Sequence, residues 1–137
     1  GYNTDMTRVA VAGEPSSEQN EVYSIVLKAQ TTALDKVHAG MTCGAADGIA
    51  RKVIDEEGYG EFFTHRLGHG IGLEVHEPPY LVRGNSHVLE PGMCHSIEPG
   101  VYLEGKFGIR IEDLVTVTDE GVELLTYSPK DLFEIEV

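Results

Sequence analysis

The stretch MCHSIEPGVYLEGKFGIRIEDLVTVT, residues 93–118, decides how this chain folds. Residues 93–103 and 108–118 read as two strands rich in β-branched and apolar residues, joined by a turn at Glu104-Gly105-Lys106. With the turn centred on Gly105, residues whose numbers sum to 210 stand opposite each other, and Glu98 and Glu112 are such a pair. Two carboxylates whose Cβ atoms lie about 5 Å apart destabilise a sheet unless something positive sits between them. A bound cation meets that need. An arginine meets it too, and Arg110 lies two residues from Glu112, on the same face. A bulge at Pro99 would shift the register by one and turn a face over.

Upstream of this hairpin the pattern is helical. Pro15-Ser16-Ser17-Glu18 has the form of a helix start, with Ser16 or Ser17 as cap. Val22, Ile25, Val26, Ala29, Ala33, Leu34 and Val37 then fall on one face of a helix of about six turns, ending near Gly40. Thr42 can cap a second helix whose apolar side is Ala46, Ile49, Ala50, Val53 and Ile54, and Gly58 ends it. A strand is expected from about Asp5 to Val11, a loop from Pro78-Pro79 to Pro91-Gly92, and a short strand near 122–126. The acidic and apolar residues of 131–137 alternate. The expected fold class is α+β, with a helix pair covering one curved antiparallel sheet.

Composition narrows the function. The 137 residues carry a formal charge of −13, which argues against a nucleic-acid partner and against a basic membrane-surface patch. No apolar run approaches the roughly 18 residues of a membrane span. No basic-then-apolar leader is visible, and Cys43 and Cys94 make no disulfide framework. A reducing, cytoplasmic setting is the expectation.

The segment His65-Arg66-Leu67-Gly68-His69-Gly70-Ile71-Gly72-Leu73-Glu74-Val75-His76-Glu77 is the other unusual feature. In an extended strand His65 and His69 share a face, and the glycines beside them let a ligand approach the backbone. Solvated or internally hydrogen-bonded histidines explain the same string. It is not a zinc helix of the HExxH kind, because His76-Glu77 runs into Pro78-Pro79. Asp5, His69, Glu98 and Glu112 together would line a site with oxygen and one imidazole, which suits Mn, Co, Fe or Zn. Such a site, if catalytic, is hydrolytic.

Four strings carry a resemblance: Tyr2-x-x-Asp5-x-Thr7-Arg8, His65-x-x-x-His69-x-x-Gly72-x-x-x-His76-Glu77, Ile97-Glu98-Pro99-Gly100-Val101-Tyr102, and Gly108-Ile109-Arg110-Ile111-Glu112-Asp113. In this order the chain resembles the Xaa-Pro peptidases, prolidase and aminopeptidase P, which are metallopeptidases of the pita-bread fold. The resemblance implies that Asp5 and Glu112 bridge two metal ions and that His69 and Glu98 ligate one of them. It implies that Glu98 also shuttles the proton between attacking water and leaving amine. His76 would bind substrate near the scissile carbonyl, and His65 and Arg110 would shape the proline side of the pocket. The substrates would be small peptides with proline in second position. Methionine aminopeptidase shares parts of the pattern, but the Gly108–Asp113 string differs from its own.

One departure accompanies the match. The family supplies a fifth ligand, an Asp upstream of the residue matching Asp5, and only four residues precede Asp5 here. Residues 1–137 are therefore expected to be the C-terminal part of a catalytic domain, with one metal site complete and little activity in isolation. A bare sheet edge predicts a homo-oligomer. The alternative is a catalytically inactive pita-bread module that binds peptides or partner proteins.

Overall fold

A computed structural model describes all 137 residues. Two helices form where the sequence caps them. Helix α1 spans Ser17–Lys36 and begins with a reciprocal capping box: the Gln19 amide N–H donates to Ser16 Oγ, and the Ser16 N–H donates to Gln19 Oε1. Helix α2 spans Cys43–Glu56, and Thr42 Oγ1 accepts from the Ala45 N–H. Gly40, at φ 86°, turns the chain between them. Val22, Val26, Ala29 and Ala33 of α1 and Ala46, Ala50 and Ile54 of α2 are fully buried. Each large apolar side chain so buried is worth about 1.5–3 kcal/mol of transfer free energy.

The strands are β1 Ala10–Ala12, β2 Gly68–Gly70, β3 Glu77–Leu81, β4 Cys94–Ile97, β5 Gly100–Leu103, β6 Phe107–Arg110, β7 Asp113–Val117, β8 Val122–Leu124 and β9 Phe133–Ile135. Five of them form an antiparallel sheet in the order β3-β2-β4-β7-β8. The pair β5-β6 forms a separate hairpin, and β1 pairs with β9 in parallel. The helices and the inward faces of these strands share one core that includes Ile97, Val101, Ile109, Ile111 and Val115.

The hairpin register is the expected one. Cys94 faces Thr116, Ile97 faces Asp113, Gly100 faces Arg110 and Leu103 faces Phe107. The two long strands are nevertheless interrupted. Between β4 and β5 the Glu98 N–H leaves the ladder for the carbonyl of Leu67, and Pro99 has no N–H to give. Opposite, the Glu112 N–H donates to the carbonyl of Thr7. The interruption therefore falls where Glu98 and Glu112 lie, and the register passes through it unshifted.

Five expectations are corrected. The segment 78–92 is not all loop, because β3 runs through Pro78 and Pro79; prolines fit there because β3 is an edge strand with one neighbour. Asp5 is not within a strand, because the chain bridges to Glu112 at Thr7 and joins β9 only from Ala10. The sheet is not single, since β1-β9 is parallel and separate. His65 lies outside β2, so it does not share a strand face with His69. The glycines around His69 admit the protein's own backbone: a Cβ on Gly68 would collide with the Ser96 carbonyl oxygen, and one on Gly70 with that of Pro78.

Candidate metal centre

Four separate segments deliver the expected ligands to one place. His69 comes from β2 and is buried, and Glu98 and Glu112 come from the paired interruptions. Asp5 comes from the segment before β1. His69 Nε2 lies 3.1 Å from Glu98 Oε1 and 4.0 Å from Asp5 Oδ2. Ligand atoms of His69, Glu98 and Glu112 lie within 4.8 Å of one another, as do those of Asp5, His69 and His76.

The protonation of the cluster points to a cation. His69 Nδ1 lies 3.0 Å from the Gly70 carbonyl, an acceptor, so that nitrogen carries a proton. Nε2 of a neutral His69 is then a lone pair facing a carboxylate oxygen, and the pair needs a proton or a metal between them. Burial disfavours the charged His69 ring, but hydrogen bonds to Glu98 and to the Gly70 carbonyl outweigh it and raise the pKa. Burial also works against ionised Glu98, yet the bonds from His69 and Ser96 hold its pKa below the usual value. Glu112 goes the other way. Its pKa is raised by burial and further by the charges of Glu98 and Asp5, with the Thr7 hydroxyl only partly offsetting them.

Arg110 lowers the Glu112 pKa through its charge but is not paired with either glutamate. Its guanidinium forms no ion pair with either, and its Nε donates to Thr7 Oγ1 at 3.1 Å. Convergent carboxylates, a ring nitrogen turned toward them and no cationic side chain in contact fit a divalent metal.

The remaining expected residues divide into two groups. His76 is exposed and its ring packs edge-on against His69, with centroids 4.2 Å apart. His65 stands apart from the ligands, its Nε2 2.8 Å from the Tyr102 hydroxyl. The nearby charge of Arg110 acts on the Tyr102 hydroxyl, and the Arg110 Nε bonds Thr7.

The sequence reading missed Tyr102, Thr7 and Ser96. Ser96 Oγ donates to Glu98 and accepts from the His69 N–H, and Thr7 Oγ1 donates to Glu112. Ser96 stands two residues before Glu98, a spacing that signals a shared face. Thr7 has no comparable signal, because its partner is 105 residues away. A surface cavity of about 760 Å³ lies elsewhere: Ile71, Pro78, Met93, Leu114 and Leu125 line it, and none of Asp5, His69, Glu98 and Glu112 does.

The chain is similar to known proteins in both sequence and fold. The model of metallopeptidase family M24 matches residues 1–119. The chain is 49% identical over 132 residues to an Xaa-Pro dipeptidase of Lactobacillus delbrueckii subsp. lactis, covering 96% of this chain and 36% of that protein. Among solved structures, an Xaa-Pro dipeptidase from Bacillus anthracis superposes with a TM-score of 0.96 at 49% identity over 98% of this chain and 38% of that one. An X-Pro aminopeptidase from Thermotoga maritima MSB8 gives 0.95 at 52% identity, over 98% and 38%. This chain thus spans little more than a third of the length of these relatives. Its architecture is the corresponding part of the pita-bread fold. On the family match and the shared fold, the chain belongs to metallopeptidase family M24.

Proposed function

We propose that this chain carries the C-terminal part of the catalytic domain of a metal-dependent Xaa-Pro peptidase, which cleaves the peptide bond preceding proline. The observation that carries the reading is the convergence of His69, Glu98, Glu112 and Asp5 from four segments with no arginine or lysine among them. These four residues would hold the metal, and Asp5 and Glu112 would be shared if two ions bind. Mn, Co, Zn and Fe all suit the donor set. A bound divalent ion supplies a Lewis acid and lowers the pKa of a bound water.

The chain's own groups supply the rest. Glu98 is ionised and held by Ser96 and His69, so it can take a proton and return it to a leaving amine. His76, exposed beside His69, can donate to a carbonyl oxygen as charge builds there. His65, bonded to Tyr102, and Arg110 offer a polar wall for the proline carboxylate. The relatives' names, dipeptidase and aminopeptidase, support the class of substrate and leave the peptide length open. A cytoplasmic location and self-association belong to the same proposal; the apolar groove beside β3 and β4 supports the latter.

The test is a chimera. This chain replaces the matching segment of the Lactobacillus Xaa-Pro dipeptidase, and hydrolysis of Ala-Pro and Ala-Ala is followed with Mn²⁺ or Co²⁺. Turnover that prefers Ala-Pro and is lost on Glu98→Gln is the expected result. A folded chimera that hydrolyses neither dipeptide contradicts the proposal.

A further inference from the structure

Asp113 follows Glu112 in sequence but faces away from the metal centre into the helix-covered side. It is fully buried, and four donors saturate its carboxylate. Arg8 Nη2 at 2.7 Å and Thr126 Oγ1 at 2.8 Å reach Oδ1, while Gln30 Nε2 at 2.9 Å and Lys130 Nζ at 2.7 Å reach Oδ2. Arg8 is the donor that reaches further. Its Nη1 donates to the carbonyls of Glu112 at 2.7 Å and Thr7 at 2.9 Å, and its Nε to that of Pro129 at 2.9 Å. Thr7 in turn binds Glu112 twice, through its carbonyl to the Glu112 N–H and through its hydroxyl to Oε2.

We propose that Arg8 and Asp113 are positioning residues, which lock the segment bearing Asp5 against the strand bearing Glu112. The inference rests on the metal reading above. Arg8 touches the main chain of Thr7 and Glu112 and leaves the Glu112 carboxylate alone. It therefore fixes where the acids stand without competing for the cation. Upstream of Asp5, Asn3 ties the segment to the carbonyls of Gly72 and Leu73, and downstream of Asp5 the bridge at Thr7 and the bonds of Arg8 tie it to the strand bearing Glu112. Lysine cannot replace Arg8, because one ammonium cannot span a carboxylate and carbonyls on three segments.

Lys130 supplies the internal control. It shares the Asp113 carboxylate and donates to Gln30 Oε1, but it makes no hydrogen bond to Thr7 or Glu112. Affinities for Mn²⁺ and Co²⁺ are measured by calorimetry on the wild-type chain, R8K, D113N and K130M, with unfolding midpoints recorded for each. The Co²⁺ visible spectrum reports ligand geometry. R8K is expected to weaken metal affinity about tenfold or more and to change the Co²⁺ bands. D113N, which keeps the side-chain shape, is expected to shift both in the same direction. K130M is expected to lower the unfolding midpoint while leaving affinity within about twofold and the bands unchanged. Equal affinity losses in R8K and K130M, or none in either, overturn the positioning role alone. A wild-type chain that takes up neither metal overturns the metal reading as well.

Discussion

Glu98 and Glu112 face each other across the one interruption in a hairpin whose register is otherwise continuous. Each has left the ladder to bond a different segment, Glu98 to Leu67 and Glu112 to Thr7. Two like charges opposite one another cost stability in a protein without metal, and that cost is the sign of a site shaped for something else. Replacing one charge separates the two effects. Glu112→Gln is expected to raise the unfolding midpoint of the metal-free chain by about 1–4 °C. The same change is expected to weaken Mn²⁺ binding at least tenfold, since a carboxylate ligand is lost. Thermal unfolding in chelator, paired with a metal titration, checks both directions.

The pH dependence of stability should carry a signature of His95. This ring is buried in β4, its Nδ1 lies 2.9 Å from the Ser96 carbonyl, and its Nε2 has no partner. Burial holds its pKa down from 6.5 to about 4. The folded pKa is depressed, so below about pH 6.5 the unfolded chain takes a proton that the folded chain refuses. Stability is therefore full above that pH and falls as pH drops toward 4, by up to about 3 kcal/mol from this group. Urea unfolding at pH 7, 5.5 and 4.5 should show a shallower pH dependence for His95→Leu than for wild type. Parallel profiles would contradict the assignment.

Two ion pairs should differ sharply in worth. Asp47 on α2 is buried, and its carboxylate accepts from Arg51 at 2.8 and 2.9 Å and from the Leu67 N–H at 3.0 Å. Arg51 also bonds the carbonyls of Phe63 and His65, so this pair holds the segment that leads into His69. Asp47→Ala leaves a largely buried guanidinium without its partner and is expected to cost about 3–5 kcal/mol. The exposed pair Lys28–Glu57 has the same 2.8 Å contact distance, and Lys28→Ala is expected to have no measurable effect. Denaturant unfolding of the two variants decides it.

The two cysteines should be distinguishable by rate. Cys43 is fully buried at the start of α2, and burial raises its thiol pKa. Cys94 is half-buried on the rim of the apolar groove. An aromatic disulfide reagent is expected to titrate one thiol per folded chain quickly and the second only on unfolding. Cys94→Ser should remove the fast phase.

Much of this fold is legible in the sequence. The helices are local objects: a cap at Ser16 or Thr42 and a 3.6-residue period state where each begins, and Gly58 closely marks the end of α2, whereas α1 stops at Lys36, short of the expected end near Gly40. The Glu98–Glu112 pairing is legible because a single turn at Gly105 sets the register for the whole hairpin. What stays hidden depends on contacts distant in sequence. The parallel β1-β9 pair joins the two ends of the chain, and β3 contains prolines that argue against a strand unless its edge position is known. Asp5 and His69 could be gathered with the glutamates on donor chemistry alone, since no spacing rule links segments so far apart, and only the resemblance gave each of them a role. Arg8, Thr7 and Tyr102 escape for the same reason: their partners Asp113, Glu112 and His65 lie 105, 105 and 37 residues away.

The assignment on which all else rests is that Asp5, His69, Glu98 and Glu112 form one metal centre. Calorimetric titration of the chelator-treated chain with Mn²⁺ and with Co²⁺ tests it most directly, alongside His69→Ala, Glu98→Ala and the distant His87→Ala. Saturable binding in wild type and His87→Ala, abolished in His69→Ala and Glu98→Ala, is the expected result. Equal uptake by all four proteins, or none by any, would contradict it.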